Sequence, residues 1–263
     1  MERLTMFGTG HAAVTECYNT CFALRVPNYT LLVDGGGGNG ILRQIKRAEM
    51  HISDISDIFV THVHPDHLLG IVWVLRMMSE KATGRCTVYG HDEVLTVLKQ
   101  ICRNTLSPAV WNYLRANVRF EEVCDGQSLT VGANLMLRFF DTQSPNVKQY
   151  GFKAFLPSGK TLVCLGDAPC CEPLYAYAKG TDWLLCEAFC READKAVFQP
   201  HELHHSTVVD SATVAQRLVV KNLVLYHTED SMLPQRKARY TEEARSVYSG
   251  MVCVPDDLET IVL

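Results

Sequence analysis

The sequence predicts an α/β fold: a sandwich of two mixed sheets with helices on the outer faces. Short apolar runs rich in β-branched and aromatic residues recur along the chain and end at Gly or Asp, as half-buried strands do. Later runs alternate with stretches of helical spacing, whose apolar side needs a sheet to cover it. The 263 residues suit one such sandwich over positions 1–263 rather than two independent domains. Apolar residues at 47% and charged residues at 21% exclude a disordered or fibrous chain.

Strands are expected at Leu4–Phe7, Phe22–Val26, Thr30–Val33 and Ile58–Thr61, close together and more like antiparallel meanders than βαβ units. Further strands are read at Thr87–Tyr89, Leu135–Phe140, Tyr150–Leu156, Thr161–Leu165, Trp183–Cys186, Leu223–Tyr226 and Met251–Val254. Helical patterns cover Gly40–Ala48, Leu68–Glu80, Asp92–Arg103, Pro108–Ala116, Glu172–Ala178, Thr207–Val220 and Gln235–Tyr248. Within Thr207–Val220, Val208, Val209, Ala212, Val214, Ala215, Leu218 and Val219 follow near-helical spacing, with Asp210 and Gln216 on the other side. No internal repeat or linker is legible.

A net charge of −4 offers no general basic surface for nucleic acid. A membrane span needs about 20 apolar residues, and the run Leu68–Leu75 stops at Arg76. Met1-Glu2-Arg3-Leu4 opens no apolar signal region, so a cytoplasmic location is expected. The 11 cysteines are odd in number, and none shows the two-residue gap of zinc ribbons or thioredoxin-like sites. Buried thiols are the expected state.

The histidines cluster. His62, His64 and His67 fall within six residues, His204 and His205 are adjacent, and His227 closes a strand-like run. In Phe59-Val60-Thr61-His62-Val63-His64-Pro65-Asp66-His67, an apolar strand runs into four candidate ligands. His62 and His64 face one way on extended chain. Pro65 is expected to end the strand, and Asp66 then stands near a helix N-terminus, where a carboxylate is favoured. Imidazole and carboxylate together suit Zn, Fe or Mn, in one or two ions.

His62-Val63-His64-Pro65-Asp66-His67 resembles the His-x-His-x-Asp-His signature of the metallo-β-lactamase superfamily. Leu32-Val33-Asp34-Gly35-Gly36 resembles its first motif, Gly166-Asp167 its bridging-carboxylate motif, and Tyr226-His227 its final histidine motif. The resemblance covers nearly the whole chain and implies the αβ/βα sandwich of that superfamily. It implies that His62 and His64 bind a first metal, that Asp66, His67 and His227 bind a second, and that Asp167 bridges. Zinc is the expected metal, with manganese or iron as alternatives, and a metal-bound hydroxide the expected nucleophile. Asp34 would hold a histidine by its other ring nitrogen. The family's third motif supplies a further histidine, yet none lies between His91 and His201. Gln143 falls where it is expected, which implies a weakened first site, unless Asp141 ligates instead.

Within the superfamily, three segments resemble ribonuclease Z-like phosphodiesterases: Phe7-Gly8-Thr9-Gly10, Cys186-Glu187-Ala188 and His205-Ser206-Thr207. The resemblance implies that Glu187 orients His205, that His205 stabilises or protonates the scissile phosphodiester, and that Asp66 assists the nucleophile. The catalytic set is therefore Asp66, His205 and Glu187, with His204 outside it. The first segment could also bring backbone N–H groups near a phosphate. Gly35–Gly38 lack a P-loop ending and are expected to let backbone approach the metal loop. Arg236, Lys237 and Arg239 either neutralise a substrate phosphate or form a solvated helix face.

Ribonuclease Z enzymes carry a long arm that grips transfer RNA between the third and fourth motifs. Gly151 to Gly166 holds only two strands and a Pro157-Ser158-Gly159 turn. Transfer RNA is therefore not the expected partner; a small phosphodiester, cyclic nucleotide or ester is. The stretch from Leu68 to Asp141 is expected to form a lid or a homodimer surface. Competing readings are a thioester, lactone or sulfate-ester hydrolase and a non-catalytic metal-binding sensor.

Overall fold

The computed structural model describes residues 1–132 and 134–263. The chain opens with an antiparallel meander of β1 (Arg3–Gly8), β2 (Cys21–Val26) and β3 (Tyr29–Val33). Helix α1 (Gly40–Arg47) leads to β4 (Asp57–Phe59), and α2 (Pro65–Lys81) to β5 (Cys86–Gly90). Helices α3 (Asp92–Thr105) and α4 (Pro108–Asn117) lead to β6 (Val118–Glu122). Strands β3 to β6 pair in parallel.

The second half follows the same plan. Strands β7 (Ser128–Val131), β8 (Leu135–Asp141), β9 (Tyr150–Phe155) and β10 (Thr161–Cys164) form an antiparallel meander. Then come α5 (Tyr175–Ala178), β11 (Trp183–Glu187), α6 (Lys195–Phe198) and α7 (Val208–Arg217). They are followed by β12 (Asn222–Tyr226), α8 (Leu233–Arg245) and β13 (Met251–Cys253), with β10 to β13 parallel. Strand β14 (Thr260–Val262) crosses back to pair with β1. Two seven-stranded sheets result, ordered β14-β1-β2-β3-β4-β5-β6 and β13-β12-β11-β10-β9-β8-β7.

This corrects the expected division into an early meander and a late alternating region, because each half contains both. The repetition lies in topology and left no trace in residue identity. Strands β6, β7 and β14 escaped the sequence reading for a physical reason. All three are sheet edges and mix exposed with covered residues, so none shows a continuous apolar run.

One apolar core lies between the sheets, where Phe59 meets Phe139 and Phe152 at ring separations of 5.2 and 5.5 Å. A second packs the first sheet against α1 to α4, and a third packs the second sheet against α5, α7 and α8. Helix α7 starts where Thr207 and Asp210 form a reciprocal capping box. Two carboxylates fasten the amino ends of the parallel strands. Asp57 accepts from Thr87 N at 2.7 Å and from Tyr29 Oη at 2.9 Å. Asp182 accepts from Thr161 N and from Lys221 Nζ, both at 2.7 Å. Among the described residues, no helix is long and apolar enough to cross a membrane.

Candidate metal centre

The site gathers at the carboxyl ends of the parallel strands, the usual place for a ligand in an open α/β sheet. Strand β4 ends at Phe59, earlier than expected, and residues 60–64 run on as an extended loop. Pro65 does not break a strand; it occupies the first turn of α2, where its missing N–H costs nothing. Asp66 and His67 follow in that turn.

The glycine run brings the loop after β3 against this helix. Gly35 N donates to His67 O, and Gly70 N donates to Gly36 O, both at 2.8 Å. A Cβ on Gly70 would lie 1.8 Å from Gly35 O, so the approach requires glycine. The backbone role expected of Gly35–Gly38 is what the first two of them perform.

A hydrogen-bond chain fixes two imidazoles. Thr61 Oγ1 donates to Asp34 Oδ2 at 2.8 Å, so its contact with His62 Nδ1 at 2.9 Å must be a bond it accepts. His67 Nδ1 donates to the same Asp34 oxygen at 2.8 Å. Both rings therefore carry their proton on Nδ1 and turn Nε2 to the site. Thr61 N also donates to Asp34 Oδ1 at 2.8 Å. Asp34 thus has the orienting role expected of it, from a left-handed backbone at φ 56°.

The second half completes the cluster. Asp167 follows β10, and His227 follows β12. Asp167 Oδ2 lies 3.5 Å from His62 Nε2, and 3.6 Å from both His67 Nε2 and His227 Nε2. Asp66 Oδ2 lies 3.3 Å from His67 Nε2 and 3.7 Å from His227 Nε2. These gaps are long for hydrogen bonds but match the separation of about 3.4 Å between ligands tetrahedrally placed around zinc. Among the described residues, His62 Nε2, His67 Nε2 and both ring nitrogens of His227 are buried without hydrogen-bond partners. Such orphaned nitrogens are rare in interiors, and a cation would satisfy the lone pair that each Nε2 presents.

Three ligand sets have atoms within 4.8 Å of one another: His62, His64 and Asp167; Asp66, His67 and His227; Asp167, His205 and His227. Every residue expected to ligate is among them. His64 is the solvent-exposed member, its ring 4.5 Å from that of His62. Burial would raise Asp66, but His67 and His227 outweigh it and hold the carboxyl far below its ordinary range. The imidazoles of His62, His67 and His227 do the same for Asp167 against its burial. Burial pushes His62 down to about 3, with Asp167 opposing. His67 is raised despite burial, because Asp66 and Asp34 flank it.

Glu187, at the end of β11, is fully buried. Its Oε1 accepts from Ser206 N at 2.6 Å, and Oε2 faces His205 Nδ1 at 3.6 Å. Neither of those last two atoms has another partner among the described residues. Glu187 raises the His205 pKa against burial. The ring of Phe189 stacks on His205 at 5.1 Å and 22°. His205 shares a cavity of about 170 Å³ with Asp66, Asp167, His64 and His227.

Several expectations change. Gln143 does not border that cavity. It is exposed, at φ 60°, and lines an adjoining cavity instead. Asp141 accepts from Gln143 N at 2.8 Å and enters no ligand set. The amide that does touch the cluster is Gln149, whose Nε2 donates to Asp167 Oδ1 at 2.5 Å. His204, expected to stand outside, borders both cavities. His11 was missed: it lines the metal cavity against Phe189 at 4.4 Å, and burial with nearby His227 lowers it to about 4. Nothing in its own sequence neighbourhood marked it.

The Phe7–Gly10 turn offers no phosphate cradle. The N–H groups of Thr9 and Gly10 both bond Tyr18 O, and His11 N bonds Thr228 O. Arg236 is likewise no phosphate partner. It is buried and donates to Thr9 Oγ1, Thr228 Oγ1 and Pro255 O at 2.8–3.0 Å, tying the two sheets' ends together.

The chain is 26% identical over 305 aligned positions to a ribonuclease Z of Methanothermobacter thermautotrophicus, covering 99% of this chain and 96% of that one. The aligned length exceeds this chain, so the relative carries segments absent here. The fold matches human tRNase Z, short form, with a TM-score of 0.78 at 20% identity, over 99% of this chain and 98% of that chain. It matches the metallo-β-lactamase fold protein YhfI of Bacillus subtilis equally, at 0.78 and 18% identity, with the same coverage. The sandwich is the metallo-β-lactamase αβ/βα fold in its ribonuclease Z-like form. Residues 2–248 match the family described as Anti-Pycsar protein Apyc1, and the chain belongs to that family.

Proposed function

We propose that this protein is a metal-dependent phosphodiesterase acting on a small phosphodiester, cyclic nucleotides included. One observation carries the reading: an imidazole backed by a buried carboxylate, His205 with Glu187, opens on the same cavity as Asp66 and Asp167. An ester hydrolase needs the metal cluster but not this pair. His62, His64 and Asp167 would hold one ion, and Asp66, His67 and His227 another, with Asp167 common to both. When bound, a divalent ion, zinc foremost with manganese or iron as alternatives, lowers the pKa of water and neutralises phosphate charge.

The chain's own residues supply the rest. Asp34 and Thr61 keep the two imidazoles in one tautomer. Asp66, held ionised beside His67 and His227, assists the nucleophile by accepting a hydrogen bond from it. Glu187 fixes His205 through Nδ1, leaving the other ring nitrogen to hydrogen-bond the phosphoryl oxygen or protonate the leaving oxygen. Beyond His205, a cavity of about 420 Å³ lined by Gln143, Cys170, Cys171, His201 and His204 has room for a small organic group. Between β9 and β10 there is only a tight turn, closed by Leu156 N on Lys160 O. With no arm there, transfer RNA is not the substrate this reading favours.

The test is elemental analysis of the purified protein together with hydrolysis of bis-p-nitrophenyl phosphate, p-nitrophenyl acetate, p-nitrophenyl sulfate and a precursor transfer RNA. Bound metal with turnover of the phosphodiester is expected. Turnover of the acetate or sulfate alone would replace the reading with an ester hydrolase. Two bound ions and no turnover of any substrate would replace it with a metal-binding sensor.

A further inference from the structure

The two oxygens of Asp167 have different surroundings. Oδ2 faces the three imidazoles of His62, His67 and His227 at 3.5–3.6 Å. Oδ2 is the oxygen that makes the closest approach to each of them, while Oδ1 accepts the Gln149 amide at 2.5 Å. An ionised carboxylate can only accept, so the nitrogen end of the amide must be the end that meets it.

Gln149 is built into this place. It is 1% exposed, and its own carbonyl accepts from Thr142 N at 2.9 Å and Thr142 Oγ1 at 3.1 Å. The neighbouring Gly166 sits at φ 67°, and a Cβ there would fall 2.2 Å from Gln149 Nε2. Glycine at 166 therefore leaves the space that the amide fills. Gln149 Oε1 is buried without a partner among the described residues.

We propose that Gln149 is a positioning residue that makes Asp167 a single-oxygen bridge. By occupying Oδ1 it leaves Oδ2 alone to join the His62/His64 set to the Asp66/His67/His227 set. A carboxylate free to turn would present both oxygens, chelating one ion or holding two ions further apart. The effect bears most on the first set, which has two imidazoles and Asp167 and lacks the further histidine of the wider superfamily. The inference rests on the metal reading of the site and adds to it the binding mode of one ligand.

The test compares the parent with Gln149→Leu, both stripped of metal and titrated with cobalt(II). The more weakly held equivalent should bind about 10–100-fold less tightly in the variant, the range for losing a group that orients a ligand. The cobalt visible spectrum should change, because the carboxylate then coordinates differently. Thermal unfolding of both metal-free proteins controls for a folding defect, and Gln149→Met, of similar length, serves if leucine disrupts the fold. Unchanged affinity together with an unchanged spectrum would overturn the proposal. A crystal structure of the zinc-loaded parent decides independently of any variant. Oδ1 on Gln149 with Oδ2 shared by both ions is expected, and an ion on Oδ1 would overturn it. A parent that binds no metal at all would instead remove the reading on which it rests.

Discussion

The two halves of the sandwich follow one topology but build the site in different ways. The first half concentrates His62, His64, Asp66 and His67 on one loop and the helix turn that follows it. The second half contributes Asp167, Glu187 and His227 from the ends of three adjacent parallel strands, and His205 from the loop that leads into α7. In the first, geometry is local: Pro65, the Gly35–Gly70 contact and the Asp34–Thr61 hydrogen bonds set it. In the second, geometry comes from sheet register, since neighbouring strands stand about 4.8 Å apart. The local part can be disturbed one ligand at a time, whereas the distributed part meets in a single residue, Asp167.

That contrast is sharpest at Asp167. Asp167→Ala should strip the protein of tightly bound metal and abolish hydrolysis, while loss of the exposed His64 should spare metal in the second set. Elemental analysis of both variants after gel filtration checks this, and equal losses would mean that the halves do not differ as described. His205→Ala and Glu187→Gln should each lower kcat by about 10²–10⁴-fold, the range for a lost general acid, with metal content retained. If metal content falls with His205, that residue belongs with Asp167 and His227 as a ligand, and the second half has no separate acid. Asp34→Ala should weaken metal binding by about 10–100-fold, because His67 loses its Nδ1 acceptor; competition against a chelating dye reads the change.

The smallest effect concerns stability. Burial raises the Asp57 pKa against its hydrogen bonds, so the folded state holds that proton more tightly than the unfolded one. Its contribution is present in acid and is lost as pH rises through the folded pKa. Asp182 is shifted the other way: Lys221 and Thr161 outweigh its burial. Its contribution is present at neutral pH and lost as pH falls through the folded pKa. Asp57→Asn should therefore raise Tm at pH 7, and Asp182→Asn should lower it, with both differences shrinking toward acid. Thermal melts across pH 3–7 would show the opposite signs, and matching signs would refute the pairing.

The same contrast governs what could be read from the sequence. The His62–His67 cluster was legible because all its members lie on one short stretch. Asp167, Glu187, His205 and His227 were legible only through family resemblance, since nothing in the local spacing joins them. Gln149 and His11 were not legible at all. Each enters the site through a contact between distant segments, Gln149 across Gly166 and His11 against Phe189. Gln143 was misplaced because a loop between two strands has no periodicity to anchor its register. Arg236 looked like a surface cation because charge on a helix usually is one; its burial follows from hydroxyl and carbonyl acceptors that come from other parts of the chain.

Asp34 and His227 share a trait that concerns the history of such a site more than its chemistry. Both are held in the left-handed backbone region, at φ 56°, where a side chain costs about 1–2 kcal/mol relative to the right-handed form. Glycine at either position would relax the turn while removing the group that the site needs. Selection for a more robust fold and selection for a working enzyme thus pull against each other at the same two corners. A lineage released from the need for this activity has a downhill route away from it, and retaining Asp and His at those corners takes continued selection for what they do.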